Sequence, residues 1–329
     1  MEQITARTNS PNRAIVNVLK NNIFVAVALT IILFAAGGIF NVNFLAPRNI
    51  GNVLTMSVIL GIAASGQTLV VISGGDGIDL SIGASISLGA VISGLVMNGQ
   101  NSGIVPALAL VVLSGILIGL INSIGIIYAR VPPLVMTMAF ANIITIVQLI
   151  ISNGAPTGKP GPAITFLGTF RVLPFISILM LAGVLFMFLM YKFLNNTSYG
   201  HQLFSVGNNS NAAYLSGVRP NLIRILAHIL SGVLSTLTGF LLLGYNTFVF
   251  INMGSTYVLP SVAAVVIGGT AFAGGKGSFT GTMTGAILLT TLASLLVVIN
   301  TDEAGRQIIN GIVLILILAI YTRQPSIRQ

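Results

Sequence analysis

The sequence predicts an all-α, polytopic integral membrane protein of about ten transmembrane helices, because of its composition and its repeated apolar runs. Of the 329 residues, 55% are hydrophobic and only 6% are charged. Soluble domains carry about a quarter charged residues, so this composition excludes an ordinary soluble fold. The mean hydropathy is +1.00. Apolar runs of about 20 residues recur along the chain, and a helix of that length crosses a hydrocarbon core of about 30 Å.

The apolar runs give the predicted helices in order. They are residues 22–40, 51–73, 78–97, 104–129, 133–151, 173–193, 222–244, 257–273, 279–299 and 307–322. Together they make one transmembrane domain, residues 22–323, between an N-terminal tail of residues 1–21 and a C-terminal tail of residues 324–329. Two longer polar segments interrupt the domain, residues 152–172 and residues 194–221. Neither is large enough for a soluble catalytic domain, so the sequence predicts a protein that is not an enzyme.

The basic residues predict the orientation of these helices. When both termini are cytoplasmic, the basic residues that fall inside are Arg7, Arg13, Lys20, Arg130, Lys192, Arg219, Arg224, Lys276, Arg323 and Arg328. Those that fall outside are Arg48, Lys159, Arg171 and Arg306. Cytoplasmic loops carry an excess of Lys and Arg, so this asymmetry favours cytoplasmic termini. The 194–221 segment is then cytoplasmic and the 152–172 segment is external.

The polar residues exclude several other classes of protein. The net charge of +9 comes from Lys and Arg residues scattered singly, without the basic clusters that bind nucleic acid. The string GGTAFAGGKG at residues 268–277 lacks the G-x-x-x-x-G-K-[ST] spacing of a phosphate-binding loop. His201 and His228 have no Cys, Asp or Glu at ligand spacing, so no metal site is predicted. The sequence therefore indicates neither an ATP site, nor a metal, nor a cofactor in this chain.

Two of the five acidic residues, Asp76 and Asp79, lie in the stretch VISGGDGIDLSIGASISLG at residues 71–89. A carboxylate at the centre of a membrane helix costs about 2.5–3.5 kcal/mol, so both must lie at a membrane edge or inside the helix bundle. The glycines around them favour a broken or re-entrant backbone. Asp79 is interpreted first as the N-cap of the next helix. A role in the pathway or its gating, and an interhelical contact, are the alternatives. Asp76 is predicted to lie in a loop.

Polar and small residues inside the apolar runs predict how the helices pack. The amide side chains within the runs are Gln67, Asn122, Asn142 and Gln148. Such amides bond neighbouring helices or contact a hydroxyl-rich solute, and the first role is the commoner one. The 37 glycines, often at short helical spacings, predict close helix packing. Residues 73–90 and 267–286 share a Gly-Gly and a later Gly-Ala, which is a faint internal repeat of the kind found in transporters.

Three segments together resemble the permease subunit of bacterial ABC importers for ribose, xylose, galactose and autoinducer-2. The first is ISGGDGIDLSIGASISLGA, which resembles the family's SGGIDLSVG stretch with Asp76-Gly77 inserted, so that Asp79 matches the family's aspartate. The second is YGHQLFSVGNNSNAAYLSGV at residues 199–218, which resembles its cytoplasmic G…G-N-x-x-A-A-x-x-S-G-[IV] loop. The third is LPSVAAVVIGGTAFAGGKGSFTGTMTGA at residues 259–286, which resembles its A-x-A-A-V-V-I-G-G-T-x-x-x-G-G-x-G motif.

This resemblance implies a division of labour between subunits. Two permeases, as a homodimer or a close heterodimer, would form the pathway for a sugar-like solute across the bacterial inner (plasma) membrane. Two cytoplasmic ABC ATPase subunits would hydrolyse ATP, and a periplasmic or lipoprotein solute-binding protein would deliver the solute. The residues implied for coupling to the ATPase are Gly207, Asn208, Ala212, Ala213, Ser216 and Gly217. The residues predicted near the pathway, at a helix break, are Asp79, Ser81, Gly83, Gln67 and Asn122.

Other functions fit parts of the sequence. An ion-coupled secondary transporter would use the two aspartates as its cation site. An ABC permease for a nucleoside or a branched-chain amino acid would share the same architecture. A membrane scaffold without transport is disfavoured, because its polar residues would not need to lie within the spans.

Overall fold

A computed structural model describes residues 21–155 and 157–322, so the two predicted tails, residues 1–21 and 324–329, lie outside it except for Asn21. The basic residues of the orientation argument that lie outside it are Arg7, Arg13, Lys20, Arg323 and Arg328. The first helices are α1 (Asn22–Phe40), α2 (Pro47–Ile72), α3 (Ile82–Met97), α4 (Ile104–Ile127) and α5 (Pro133–Ile151). Short 3-10 turns at Val42–Leu45 and Asn101–Gly103 lead into α2 and α4.

The second half of the chain begins with α6 (Pro162–Thr169) and an antiparallel hairpin of β1 (Arg171–Leu173) and β2 (Ile176–Ser177), in which Arg171 pairs with Ser177. The helices that follow are α7 (Ile178–Asn196), α8 (Ser198–Asn208), α9 (Ser210–Leu215), α10 (Pro220–Asn246), α11 (Val258–Ile267), α12 (Phe279–Val298) and α13 (Glu303–Thr322). A 3-10 turn at Ser255–Tyr257 precedes α11. This hairpin is the only sheet within the described part of the chain, and the all-α prediction is confirmed.

The centre of the bundle is formed by α2, α3 and α10. In its most apolar stretch α2 is 94% buried, whereas α1 and α7 are each 17% buried. Glycines allow α3 and α10 to cross at very short range: a Cβ added to Gly89 would lie 2.1 Å from Thr236 O, and one added to Gly239 would lie 1.9 Å from Ile86 O. Lipid offers no hydrophobic drive to helix association, so close backbone contact of this kind stabilises the bundle.

Within the described ranges, seven helices are long and apolar enough to cross a membrane, namely α1, α2, α4 with its preceding 3-10 turn, α5, α7, α10 and α12. The helices α3 and α11 are apolar but shorter, with 16 and 10 residues. The prediction of a polytopic membrane protein is confirmed. The count of ten crossings and the cytoplasmic position of both termini stay predictions.

Five predicted helix boundaries are wrong by at least four residues. The helix α2 begins at Pro47 rather than at residue 51, and α13 begins at Glu303 rather than at residue 307. The other three lie at local turns. The helix α3 begins at Ile82 rather than at residue 78, because the preceding residues form the turn that holds Asp79. The helix α7 begins at Ile178 rather than at residue 173, because the hairpin occupies those residues. The helix α11 ends at Ile267 rather than at residue 273, since Gly269 follows with φ of +88°, a left-handed conformation that favours glycine.

Candidate functional site

A buried polar hub lies where the turn before α3 meets three helices. It consists of Gln67 of α2, Asp79 and Ser81 of the turn, Asn122 of α4 and Ser231 of α10. Asp79 is only 2% exposed. Its Oδ1 accepts hydrogen bonds from Ser81 N–H at 2.9 Å and Ser81 Oγ at 2.5 Å, and its Oδ2 accepts one from Ser231 Oγ at 2.8 Å. A buried carboxylate needs such donors, because burying an unpaired charge costs a large free energy.

The two amides connect the same turn to α2 and α4. Gln67 Oε1 accepts a hydrogen bond from Asp79 N–H at 3.2 Å, and Asn122 Nδ2 donates one to Ser81 Oγ at 2.9 Å. Within the described residues, Gln67 Nε2 and Asn122 Oδ1 have no hydrogen-bond partner. An unpaired buried polar group costs about 1–3 kcal/mol, so this donor and this acceptor are suited to water or to the hydroxyls of a solute.

The structure brings together four of the five residues predicted at the helix break, which are Asp79, Ser81, Gln67 and Asn122. The fifth, Gly83, contacts the 3-10 turn before α11 instead, and a Cβ there would lie 2.8 Å from Gly254 O. The interpretation of Asp79 as the N-cap is wrong, because Ser81 holds the N-cap position of α3 and makes no side-chain cap bond. Asp79 connects the turn to α10, which was the interhelical alternative.

The two aspartates have different environments. Asp76 is exposed, with φ of +55°, in the loop that the sequence predicts. Both oxygens of Asp79 are occupied by hydroxyl or N–H donors. No group of three His, Cys, Asp or Glu side chains that could hold a metal ion exists within residues 21–155 and 157–322, as far as these are described. The hub has one carboxylate and no second acid or base, and its hydrogen bonds join the turn to α2, α4 and α10.

A glycine junction brings the two halves of the faint repeat into contact. It consists of Gly74 after α2, Gly207 near the end of α8, and Gly274 and Gly275 between α11 and α12. Gly275 N–H donates a hydrogen bond to Ile72 O at 2.9 Å. A Cβ at Gly274 would lie 2.6 Å from Gly74 Cα, and one at Gly207 would lie 1.9 Å from Ile72 O. Any side chain at Gly207 would therefore push these backbones apart.

Arg224 of α10 connects the 194–221 segment to the same turn. Its Nη2 donates to Ser210 Oγ at 2.7 Å, and its Nε donates to Ser73 O at 3.4 Å. Asn208 Nδ2 adds a bond of 3.3 Å to Gly275 O. The segment is therefore connected by hydrogen bonds through Arg224 to the turn that leads from α2 to Asp79.

The 194–221 segment contains a short helix, α9, which ends just before Gly217. Its C-terminus is a Schellman motif, in which Val218 N–H donates to Ala213 O and Gly217 N–H donates to Tyr214 O, both at 3.0 Å. Gly217 has φ of +85°, so glycine is the residue that fits this position. Asn209 Oδ1 accepts from two N–H groups of the first turn and caps the other end.

The predicted coupling residues fall into two groups. Ala212, Ser216 and Gly217 are exposed, whereas Ala213 is 5% exposed and packs in the core. Gly207 belongs to the glycine junction, and Asn208 bonds to Gly275 within it.

Sequence reasoning missed the two most prominent side chains of α9. Tyr214 is 67% exposed and Leu215 is 85% exposed. Two bulky apolar residues among the polar and small residues of 207–217 were the sequence feature that could have identified them, since exposed apolar side chains mark interaction surfaces when they cluster.

These features define a class of protein. A bundle of membrane-crossing helices has a buried polar hub at a helix break, and an exposed helical segment is bonded to that break. Such an arrangement is typical of a membrane transport component rather than of an enzyme.

The chain belongs to a family of permeases. Residues 49–318 match the family described as "Branched-chain amino acid transport system / permease component". The chain is 31% identical over 302 residues to the "Ribose import permease protein RbsC" of Bacillus subtilis (strain 168). The aligned region covers 90% of this chain and 91% of that protein.

Two further relatives are similar over most of their length. The "Galactose/methyl galactoside import permease protein MglC" of Escherichia coli (strain K12) is 30% identical over 315 residues, covering 89% of this chain and 90% of that protein. The "Autoinducer 2 import system permease protein LsrC" of Yersinia pseudotuberculosis serotype O:1b (strain IP 31758) is 29% identical over 302 residues, covering 90% of this chain and 85% of that protein. No solved structure matches the chain.

Family membership confirms several predictions from the sequence. The protein is a multi-pass transport component of the bacterial inner membrane and is not an enzyme. Permeases of ABC importers work with an ATPase and a solute-binding protein, so partners of these two kinds follow from the family.

Proposed function

We propose that this chain is the permease subunit of an ABC importer that carries a monosaccharide or a similar polar solute into the cytoplasm. Alternating access would be driven by ATP hydrolysis on partner subunits, with a second permease, identical or closely related, completing the pathway. The observation that carries this proposal is the connection from the 194–221 segment through Arg224 and the glycine junction to the polar hub. The relatives described above are named for ribose, galactose and autoinducer 2, which favours a sugar-like solute.

The exposed face of α9 would contact the ATPase. Tyr214 and Leu215 offer bulky anchors, and a few such anchors supply most of the binding energy of an interface. The small side chains of Ala212 and Ser216 would let the helix approach a groove closely. The charge asymmetry of the loops supports a cytoplasmic position for this face.

Movement of α9 would reach the pathway through polar contacts. Arg224 would carry a displacement to the turn after α2, which holds Asp79. Asn208 would carry one to Gly275, whose N–H bonds to Ile72 O at the end of α2. When α2, α4 and α10 shift around this turn, the unpaired atoms of Gln67 and Asn122 would become available to the hydroxyls of a passing solute. A sugar offers many donors and acceptors, so it matches such groups better than an apolar solute does.

The polar hub argues against an ion-coupled transporter. A cation site needs several acceptor oxygens with free lone pairs. Asp79 instead receives three hydrogen bonds, and Asp76 is exposed outside the hub.

The proposal is tested by reconstitution. The permease is placed in liposomes with the ATPase and the solute-binding protein encoded beside it, and uptake of labelled ribose, galactose and leucine is measured. We expect uptake of a sugar only when ATP and both partners are present, and no effect of a proton uncoupler. Accumulation by the permease alone, or uptake of leucine but of neither sugar, would contradict the proposal.

The face of α9 gives a second test. Leu215→Arg should lower the amount of ATPase that purifies with the permease at least tenfold, because a charged side chain replaces an apolar anchor worth about 2 kcal/mol. Leu173→Arg is the matched control, since Leu173 is also exposed but lies in the hairpin. Equal recovery of ATPase with both variants would exclude α9 as the contact.

A further inference from the structure

A cavity of about 340 Å³ lies beside the polar hub but contains none of its residues. It is bounded by the turn after α2, the connection between α4 and α5, and the first turns of α10. Arg224 lines it and also bonds to Ser210, so the cavity lies at the same end of the bundle as the 194–221 segment. Its volume falls in the range of small-ligand sites, about 300–1,000 Å³.

The charge of the cavity wall is positive. Arg130 and Arg224 line it, and no carboxylate of residues 21–155 or 157–322 does. Arg130 is exposed, whereas Arg224 is half-buried and uses Nε and Nη2 for Ser73 and Ser210, which leaves Nη1 for a ligand. Asp76 is exposed and is not part of the wall, and the carboxylate of Asp79 is bonded within the hub. Two guanidinium groups without a counter-charge favour an anion.

A buried imidazole gives an independent sign of a ligand. His228 lines the cavity and is 3% exposed. Its Nδ1 donates to Arg224 O at 2.9 Å, because a carbonyl oxygen only accepts. Its Nε2 is buried and has no partner among the described residues. Buried polar atoms nearly always have a hydrogen-bond partner, so we expect a ligand inside the cavity to bond to this nitrogen.

The remaining wall adds a polar side chain and open backbone. Asn221, near the start of α10, contributes an amide. Gly75 and Gly77 present backbone without a side chain, so a ligand can approach the peptide groups of this turn. Guanidinium groups bind phosphate oxygens with paired hydrogen bonds. With its proton on Nδ1, the His228 ring can accept at Nε2 a hydrogen bond from a hydroxyl of the phosphate or of a headgroup that carries it.

We propose that this cavity binds a phosphate group, carried either by the headgroup of an anionic phospholipid or by a free phosphorylated solute. Basic pockets between membrane helices are known to hold lipid headgroups, and free phosphate esters offer the same oxygens. Because Arg224 contacts both the cavity and Ser210, the bound group also stabilises the 194–221 segment in the arrangement described here.

The full-length permease in lipid nanodiscs tests this site. One arm uses nanodiscs of phosphatidylcholine and titrates inorganic phosphate; the other replaces part of the phosphatidylcholine by phosphatidylglycerol. The readout is the midpoint of thermal unfolding, which rises when a ligand binds the folded state. Arg130→Gln should lower the affinity for inorganic phosphate about tenfold, since one charge-assisted hydrogen-bond partner is lost. About ten times more phosphate is then needed for the same rise in the midpoint. Lys192→Gln removes the same charge outside the cavity and should respond as the wild type does.

The two arms separate the sources of the phosphate group. A rise with phosphatidylglycerol only identifies a lipid headgroup, and a rise with inorganic phosphate identifies a free phosphate ligand. No rise in either arm, or an equal rise in wild type and Arg130→Gln, overturns the proposal. Asn221→Ala repeats the comparison if Arg130→Gln does not fold, and an unweakened response in that variant overturns it as well.

Discussion

Asp79→Ala is expected to abolish solute uptake and to lower the free energy of unfolding by about 3 kcal/mol, the largest loss at any single residue of the polar hub. The substitution removes both carboxylate oxygens at once. It leaves Ser81 N–H, Ser81 Oγ and Ser231 Oγ without their acceptor inside the bundle. Unfolding of the detergent-solubilised protein and uptake in proteoliposomes measure the two effects.

Two further variants locate the cause of this loss. Ser231→Ala removes one of the three donors, so it should cost only about 1 kcal/mol and reduce uptake partially. Asp79→Asn keeps one acceptor oxygen, and its amide can donate to Ser231 Oγ, so this variant should also retain part of the uptake. Normal uptake in Asp79→Ala would show that the hub is dispensable. Complete loss in a normally folded Asp79→Asn would instead assign the negative charge itself to gating.

Gly207→Ala is expected to reduce uptake more than tenfold while the helices remain inserted. The added Cβ would lie 1.9 Å from Ile72 O and 2.4 Å from Gly275 N, so the end of α8 must move away from the turn after α2. Overpacking of this kind costs about 1–3 kcal/mol, which is enough to displace a loop without unfolding the bundle. The measurement is ATP-driven uptake together with the rate of ATP hydrolysis by the assembled complex. ATP hydrolysis should continue while uptake fails, because the contact of α8 with the turn after α2 would no longer couple hydrolysis to uptake.

Gly311→Ala is the matched control for this experiment. Gly311 is also helical, but a Cβ there would meet no atom of the described part of the chain within 4 Å. Alanine is favoured over glycine inside a helix by about 1 kcal/mol, so this variant should be at least as stable as the wild type. If Gly207→Ala transports as well as Gly311→Ala, the glycine junction does not couple the 194–221 segment to the pathway.

Sequence reasoning predicted the helices well where the apolar runs end at a clear boundary. The helix Asn22–Phe40 and the helix Pro133–Ile151 have the predicted bounds. Boundaries were wrong where a turn is held by distant groups, as at Ile82, where the preceding turn depends on contacts with α2, α4 and α10.

The candidate site was predicted in part. Asp79, Ser81, Gln67 and Asn122 were selected because polar groups are costly inside a membrane, and they do meet in one hub. Ser231 was missed, since a serine in an apolar helix is usually satisfied by its own backbone and gives no sign of an interhelical contact.

The class of protein was determined by the sequence alone, because the transfer of each side chain from water to lipid depends on its own chemistry and adds up along a run of residues. The turn chemistry of Gly217 is equally local. What only the tertiary structure decided is which distant groups meet: Asp79 bonds to a serine 152 residues away. The two glycine-containing loops and the end of α8 likewise come together only because whole helices pack against one another. Such pairings depend on the three-dimensional arrangement of entire helices, and no local pattern of residues contains that information.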